Sequence, residues 1–450
     1  MPVFLPVILF AVWLLLVGSV WRRPQRGALV VAAVTPFDGL LAIMRLPDLA
    51  DGWKEGLLVA AIASAALRNS RTPCPRGGLA GFAPWWPAAA AFVLIGTASA
   101  FVAHGTDGIV AVKITFFYLV AVPLLLWWAP FDSRDRDVLV SILMATGVAV
   151  SVLGLVQQRL GPDRMVGWGY EYGEQVRSAG GLFRTFSTFG QPFPFALFVT
   201  TSLLVGGAVA LGDPRRLRNS LFLVMSPIMA FAMTTAVVRA AVLGLVLGAI
   251  WIAATRFPPL FALLGAGLVT VLCALPFLPA SAVDALTSGS SLDERRSGWS
   301  GIVDSLAVHP LGAGLGATGS AADALRESDG GTTAAAYQPD NYYVKVLVEL
   351  GPIGLWLVVL LLGGALATAY LAARTATGDD AAFAGGVGAS IVAAIGASIV
   401  STYFEIFPLD FFFWLLLGAV GCAQAQRGSC SDRWRSRRAE AASRRTAANS

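Results

Sequence analysis

The sequence predicts an all-α polytopic membrane protein with about 12–13 transmembrane helices and a large extracytoplasmic loop containing short helices. Three observations carry this. Of 450 residues, 56% are hydrophobic and only 13% charged, where soluble domains carry about 25% charged residues. The mean hydropathy is +0.70. The charge deficit falls in continuous apolar runs, many near the ~20 helical residues that cross a bilayer core. Backbone groups in lipid must be satisfied within the segment, so such runs must be helices, and they lack the alternation of barrel strands.

The runs fall at roughly 3–20, 28–44, 55–67, 84–103, 108–129, 137–156, 194–212, 219–236, 238–254, 257–278, 342–372, 381–402 and 405–424. The first resembles a signal sequence in hydropathy only. No basic region precedes it, no small-residue cleavage site follows, and Trp21-Arg22-Arg23 comes next, so it reads as a retained span. The run at 55–67 is short for a crossing and either extends into its flanks or dips and returns.

Arginine positions orient the array. With Arg22, Arg23 and Arg26 cytoplasmic, alternation places Arg68, Arg71, Arg76, Arg134, Arg136, Arg215, Arg216, Arg218, Arg256 and Arg374 on the same side. The predicted N-terminus is outside and the C-terminus inside, in a multi-pass protein of the cytoplasmic membrane. The chain divides into N-terminal membrane helices (1–278), a large extracytoplasmic loop (279–341), C-terminal membrane helices (342–425) and a basic, disordered cytoplasmic tail (426–450). Residues 157–193 form a second long outward loop, and a third outward junction, at 235–239, is very short. The net charge of +5 lies between spans, facing anionic lipid headgroups, which argues against a nucleic-acid partner. The four cysteines, Cys74, Cys273, Cys422 and Cys430, have neither disulfide-framework nor zinc-site spacing.

The outward segments hold arginines where the positive-inside tendency predicts few. In the first, Arg177 and Arg184 flank a glycine pair, and Trp168, Tyr170 and Tyr172 precede them. Arginine forks match phosphate oxygens and glycine lets backbone approach an anion. The aromatics could stack on sugar rings or form an interfacial belt. Arg239 stands at the mouth of a membrane helix, which is costly unless it snorkels or faces a polar cavity. The large loop carries Arg295, Arg296 and Trp299, helical spacing over 296–308, then His309-Pro310-Leu311-Gly312-Ala313-Gly314. Its glycines suit a turn with positive φ or a close ligand approach. Asp340 and Asn341 stand where loop becomes helix and are either N-caps or site residues. Glu349 follows two turns on, inside an apolar stretch.

This order of motifs resembles the O-antigen ligase and polymerase superfamily of bacterial envelope enzymes. The matching segments are Arg184 to Phe189, Thr234 to Ala241 (with Val238 where serine is usual), Arg295 to Trp299, His309 to Gly314, and Asp340 to Gly354. The resemblance spans about residues 165–370 and implies a GT-C-like membrane glycosyltransferase that takes polyprenyl-diphosphate-linked oligosaccharide and needs no metal or other cofactor. Arg239 and Arg295 would then be catalytic, with Asp340 or His309 as base. Arg177, Arg184, Arg296, Trp299, Asn341 and Glu349 would bind substrate. Membrane lipids and other polysaccharide-assembly proteins are the remaining candidate partners. The ligases have histidine where this chain has Asp340, so the sequence favours a polymerase of O-antigen or exopolysaccharide over a ligase. A third reading, a transporter or flippase of lipid-linked glycans, predicts mid-membrane charges and repeated broken helices, whereas these charges cluster at the outer edge.

Overall fold

The structure is a computed structural model that describes residues 4–43, 52–69, 84–179, 181–274, 308–328 and 339–426. Each apolar run coincides with a helix. These are α1 (Phe4–Arg22), α2 (Gln25–Val34) continued by a short α3 (Gly39–Ile43), α4 (Trp53–Asn69), α5 (Trp86–His104), α6 (Gly108–Trp128) and α7 (Ser133–Leu160). A short α8 (Pro162–Gly167) precedes α9 (Pro192–Gly212), α10 (Leu217–Thr234), α11 (Arg239–Thr255) and α12 (Leu260–Ala274). After the large loop, whose described part contains α13 (Gly319–Ser328), come α14 (Tyr342–Thr375), α15 (Gly378–Ala397) and α16 (Leu409–Gln426).

Among the described residues, seven helical stretches are long and apolar enough to cross a membrane. One of them, Trp86–Trp128, is α5 and α6 folded back on each other at Gly105, where φ is +57°. The Phe92 and Phe116 rings meet at 5.2 Å between centroids, whereas a straight helix would hold them roughly 36 Å apart. The short run at 55–67 extends into both flanks as the 17-residue α4. The bundle is built around α9, α15 and α16, with 78%, 83% and 83% of their residues buried, against 28% for the outlying α10. α15 packs closely because its glycines admit neighbours: Gly386 lies against Val205 and Ala208, and Gly388 against Trp251. Small residues are the means by which helices approach in lipid, where no hydrophobic force drives them together.

The two ends of the bundle differ in chemistry. At one end a belt of ion pairs joins the short basic loops. Arg23 pairs with Asp135 at 2.7 Å, Arg136 with Asp380 at 3.2 Å, Arg216 with Asp379 at 3.0 Å and Arg218 with Asp137 at 2.9 Å. The loops that carry Arg23, Arg136, Arg216 and Arg218, which alternation assigns to one side, are thus physically together. At the opposite end lie the segment 161–191, the junction 235–238, the loop at 308–318 and the start of α14. The all-α reading overlooked a small hairpin there: β1 (Arg177–Ala179) pairs antiparallel with β2 (Leu182–Arg184). Gly181, directly ahead of β2, has φ +79°, a conformation glycine takes readily.

The longest helix, α14, is broken at Gly351 (φ +65°), followed by Pro352. Proline has no N–H to offer Val348, four residues earlier. The loop at 308–318 fills the break: Ala313 N–H donates to the Val348 carbonyl at 2.8 Å and Gly314 N–H to the Glu349 carbonyl at 2.9 Å. Gly312, Gly314 and Gly316 have φ of +96°, +107° and +90°, fulfilling the expectation of a glycine turn. A Cβ on Gly312 would overlap the Glu349 carbonyl. Gly312→Ala should therefore cost about 1–3 kcal/mol of stability, while Gly363→Ala, whose Cβ meets nothing within 4 Å, should be neutral or slightly stabilising. Thermal unfolding of the detergent-solubilised protein reads both, and equal melting temperatures for the two variants would contradict the docking.

Candidate functional site

The first cluster is built from the end of α7. Gln157 is buried, and its side-chain oxygen accepts the N–H groups of Phe186 and Ser187 at 3.0 and 2.7 Å. Gln158 accepts the Thr185 hydroxyl at 2.6 Å. Ser187, held at φ +54°, donates its hydroxyl to the Val150 carbonyl, and Thr188 donates to the Pro36 carbonyl. Residues 185–189 are thus a buried, hydrogen-bonded anchor, and Arg184 is the charged group it presents. Neither glutamine stood out in the sequence, because an amide at a helix end has no motif. Their adjacency at the C-terminal end of an apolar run was the available signal.

The anchor sets Arg184 on the junction between α10 and α11. Thr185 N–H donates to the Thr235 carbonyl at 3.2 Å, and Arg184 Nε donates to the Ala236 carbonyl at 3.1 Å. Arg239, three residues on, is the first residue of α11 and is exposed. Val237 between them adopts φ +52°, a conformation costly for a β-branched residue and common where function demands a tight turn. Arg177 is the direct cross-strand partner of Arg184 and donates to the Gly173 and Glu174 carbonyls at 3.1 and 2.8 Å. Burial, with Arg177 adding to it, pushes the Arg184 pKa down. Like charges directly opposite on a hairpin are unfavourable, and a cation at a helix N-terminus opposes the helix dipole. An anion seated here would relieve both. Chemically, the junction is suited to a phosphate group.

The second cluster is carried by α14. Asn341 is its N-cap, accepting from the N–H groups of Tyr343 and Val344 at 2.9 and 3.2 Å. The capping role considered for Asp340 thus falls to its neighbour, and Asp340 is exposed just outside the helix. His309 is also exposed, and its carbonyl accepts from Gly312 N–H at 2.9 Å to start the glycine turn. Glu349 faces inward with a side chain only 1% exposed. One carboxylate oxygen accepts from the Gly316 and Thr318 amides at 3.2 and 3.1 Å and from Lys345 Nζ at 2.5 Å. Lys345, which the sequence reading passed over, also lies 3.1 Å from Glu405, a close charge contact whose angles fall short of a hydrogen bond. Glu405 comes from the segment between α15 and α16, more than fifty residues away, so no spacing rule connects it to the loop.

Among the aromatics, Tyr170 is buried against Phe186, which removes it from sugar stacking. Trp168 and Tyr172 remain exposed, and the Tyr172 hydroxyl donates to Asp163 at 3.0 Å. Arg295, Arg296 and Trp299 lie outside the described residues, as does the helix anticipated over 296–308 except for its last residue.

Residues 223–359 match the family model described as O-antigen ligase. The matched segment runs from α10 through the kink of α14, so it contains the Arg239 junction, the glycine turn, Asp340 and Glu349. No curated protein matches the chain. The match supports a membrane glycosyltransferase-like activity of the broad O-antigen ligase and polymerase type, with a lipid-linked oligosaccharide and membrane lipids as the partners that family implies.

Burial pushes the Glu405 carboxyl up to about 7 from 4.5, against the pull of Lys345 and with Glu349 adding to the rise. The folded protein then binds this proton more tightly than the unfolded chain does. Its contribution to stability is complete below pH 4.5 and is lost as pH rises through about 7. The melting temperature should decline across that window in the wild type and less so in Glu405→Gln. Identical profiles would contradict the assignment.

Proposed function

We propose, taking the O-antigen ligase match as premise, that the chain polymerises polyprenyl-diphosphate-linked oligosaccharide repeat units on the outer face of the cytoplasmic membrane. The arginine-bearing end of the bundle would face outward and the ion-paired end inward, with the N-terminus outside and the C-terminus in the cytoplasm. The observation that carries the reading is the fastening of Arg184 to the Ala236 carbonyl beside Arg239. It brings together cations from two separate outward segments.

In this reading an acceptor sugar hydroxyl attacks the anomeric carbon of the lipid-linked donor. The new glycosidic C–O bond forms as the bond to the polyprenyl diphosphate breaks, through an oxocarbenium-like state. The bonding electrons leave with the diphosphate, whose growing negative charge Arg184 and Arg239 stabilise, and Arg177 holds the outer rim. The same role is proposed for Arg295 and Arg296. Preorganised charges aimed at a developing anion are usually the largest single term in such catalysis. The hydroxyl proton passes to Asp340, exposed at the head of α14, or to His309, exposed on the neighbouring loop.

Polymerase is preferred to ligase because the ligases have histidine at the position of Asp340. The second reading, transfer of a finished glycan to a lipid or protein acceptor, is equally compatible with the family match. A deletion strain separates them. Loss of polymer is the polymerase result, whereas accumulation of intact polymer on its lipid carrier is the ligase result and would overturn the preference.

Arg184→Ala and Arg239→Ala should each lower transfer by about 10²–10³-fold, by analogy with loss of one oxyanion donor, while membrane levels stay normal. Arg→Lys at 184 should recover only part, because the fork is lost. Wild-type polymer from both alanine variants would remove the junction from the mechanism. Cysteine labelling should reach position 310 from outside and position 216 only from inside. The reverse pattern would invert the topology.

A further inference from the structure

The ammonium of Lys345 lies where three segments meet that are remote in sequence. Its side chain is 1% exposed, as are those of Glu349 and Glu405. It donates to the Thr318 carbonyl at 2.8 Å, to Glu349 one turn along its own helix, and contacts Glu405 from the segment before α16. A lone ammonium so deep is costly unless paired, and here each partner belongs to a different element. The Thr318 carbonyl ends the loop that His309 begins. Glu349 holds the Gly316 and Thr318 amides of that loop, whose other donors enter the broken ladder of α14. Glu405 belongs to the 398–408 segment, which also receives the first turn of α14: the Tyr342 N–H donates to the carbonyls of Ser398 and Ser401 at 3.0 and 3.2 Å. Tyr342 directly follows Asp340-Asn341.

We infer that Lys345 is a positioning residue for the transfer reaction, fixing the loop of His309 relative to the helix start that carries Asp340. The inference rests on the glycosyl-transfer reading given above. Both candidate proton acceptors are exposed, His309 on the loop and Asp340 just ahead of α14. The side chains that tie their two supports together are Lys345, Glu349 and Glu405. His104 Nε2 faces the same turn, 3.4 Å from where a Gly316 side chain would begin. It closes the far side of the loop without joining the ion cluster. Lys345 therefore acts on the geometry of the acceptor hydroxyl's base, and touches neither diphosphate nor sugar.

The test separates positioning from mere stability. Lys345→Met alone strands two buried carboxylates and is expected to unfold readily. At pH values above about 7, where Glu405 is ionised and the assays are run, the double variant Lys345→Met/Glu405→Met removes one charge of each sign and leaves the net charge of the buried cluster unchanged. It leaves Glu349 on the loop amides and is expected to fold with a melting temperature close to wild type. Purified wild type, double variant and Arg184→Ala are assayed with lipid-linked repeat unit extracted from a deletion strain.

The double variant should show kcat lower by about 10²-fold, the scale of a 1 Å misplacement, with KM for the donor within about twofold. Amide hydrogen exchange at Ala313, Gly314, Gly316 and Thr318 should speed up while exchange in α9 and α15 stays protected. A folded double variant with wild-type kcat, or one with equal loss in kcat and protection throughout the bundle, overturns the inference. Absence of transfer by wild type, with Arg184→Ala indistinguishable from it, overturns the glycosyl-transfer reading itself. Failure of the two ideas is therefore seen in different samples.

Discussion

The site-bearing half of the molecule depends on a break in one helix. At Gly351-Pro352 the backbone ladder of α14 stops, and the carbonyls of Val348 and Glu349 lose their helical partners. Inside a membrane protein each such group costs several kcal/mol if left without a donor. The chain supplies donors from the glycine turn at 312–314, and only glycine can take that backbone path at positive φ so close to the helix. The turn and the kink are one unit written in two places. The docking fastens the turn that His309 begins to the helix that carries Lys345 and Glu349, with Asp340 just ahead of that helix.

Charge is sorted by a similar economy. At the basic-loop end, arginines meet aspartates, in pairs that are mostly part exposed and individually weak. Their collective effect is to hold short loops in register. At the opposite end, Arg184 and Arg177 face each other across a hairpin, and Arg239 begins a helix against its dipole. The ion-paired end and the end that gathers Arg177, Arg184 and Arg239 thus differ in chemistry. That asymmetry, together with the O-antigen ligase match across 223–359, underlies the proposal of a diphosphate-bearing lipid as substrate.

The helices were legible because lipid leaves the backbone one solution, and their positions follow directly from hydropathy. The location of Arg184 and Arg239 at one end was legible from charge alternation. Their meeting was not, since it depends on the side chains of Gln157 and Gln158 holding residues 185–189, and on a hairpin too short to show a strand pattern. Glu349 was noticed as an ionisable group in an apolar run, but its partners, Lys345 one turn away and Glu405 beyond another membrane helix, show only in three dimensions. Tyr170 reads like its neighbours Trp168 and Tyr172 in sequence, yet it is core. Alternation within a loop carries no such information. The division between Asp340 and Asn341 was decided by which side chain reaches two amides, a matter of φ and ψ at one residue.

The central claim is that the diphosphate of a polyprenyl-linked donor sits at the junction of the hairpin with α11. Electron cryomicroscopy of the protein in lipid nanodiscs with polyprenyl diphosphate tests it most directly. The account predicts diphosphate density between Arg184 and Arg239, within hydrogen-bonding distance of both guanidinium groups. Diphosphate density at the ion-paired end, or at the outer end without contact to either arginine, would contradict it.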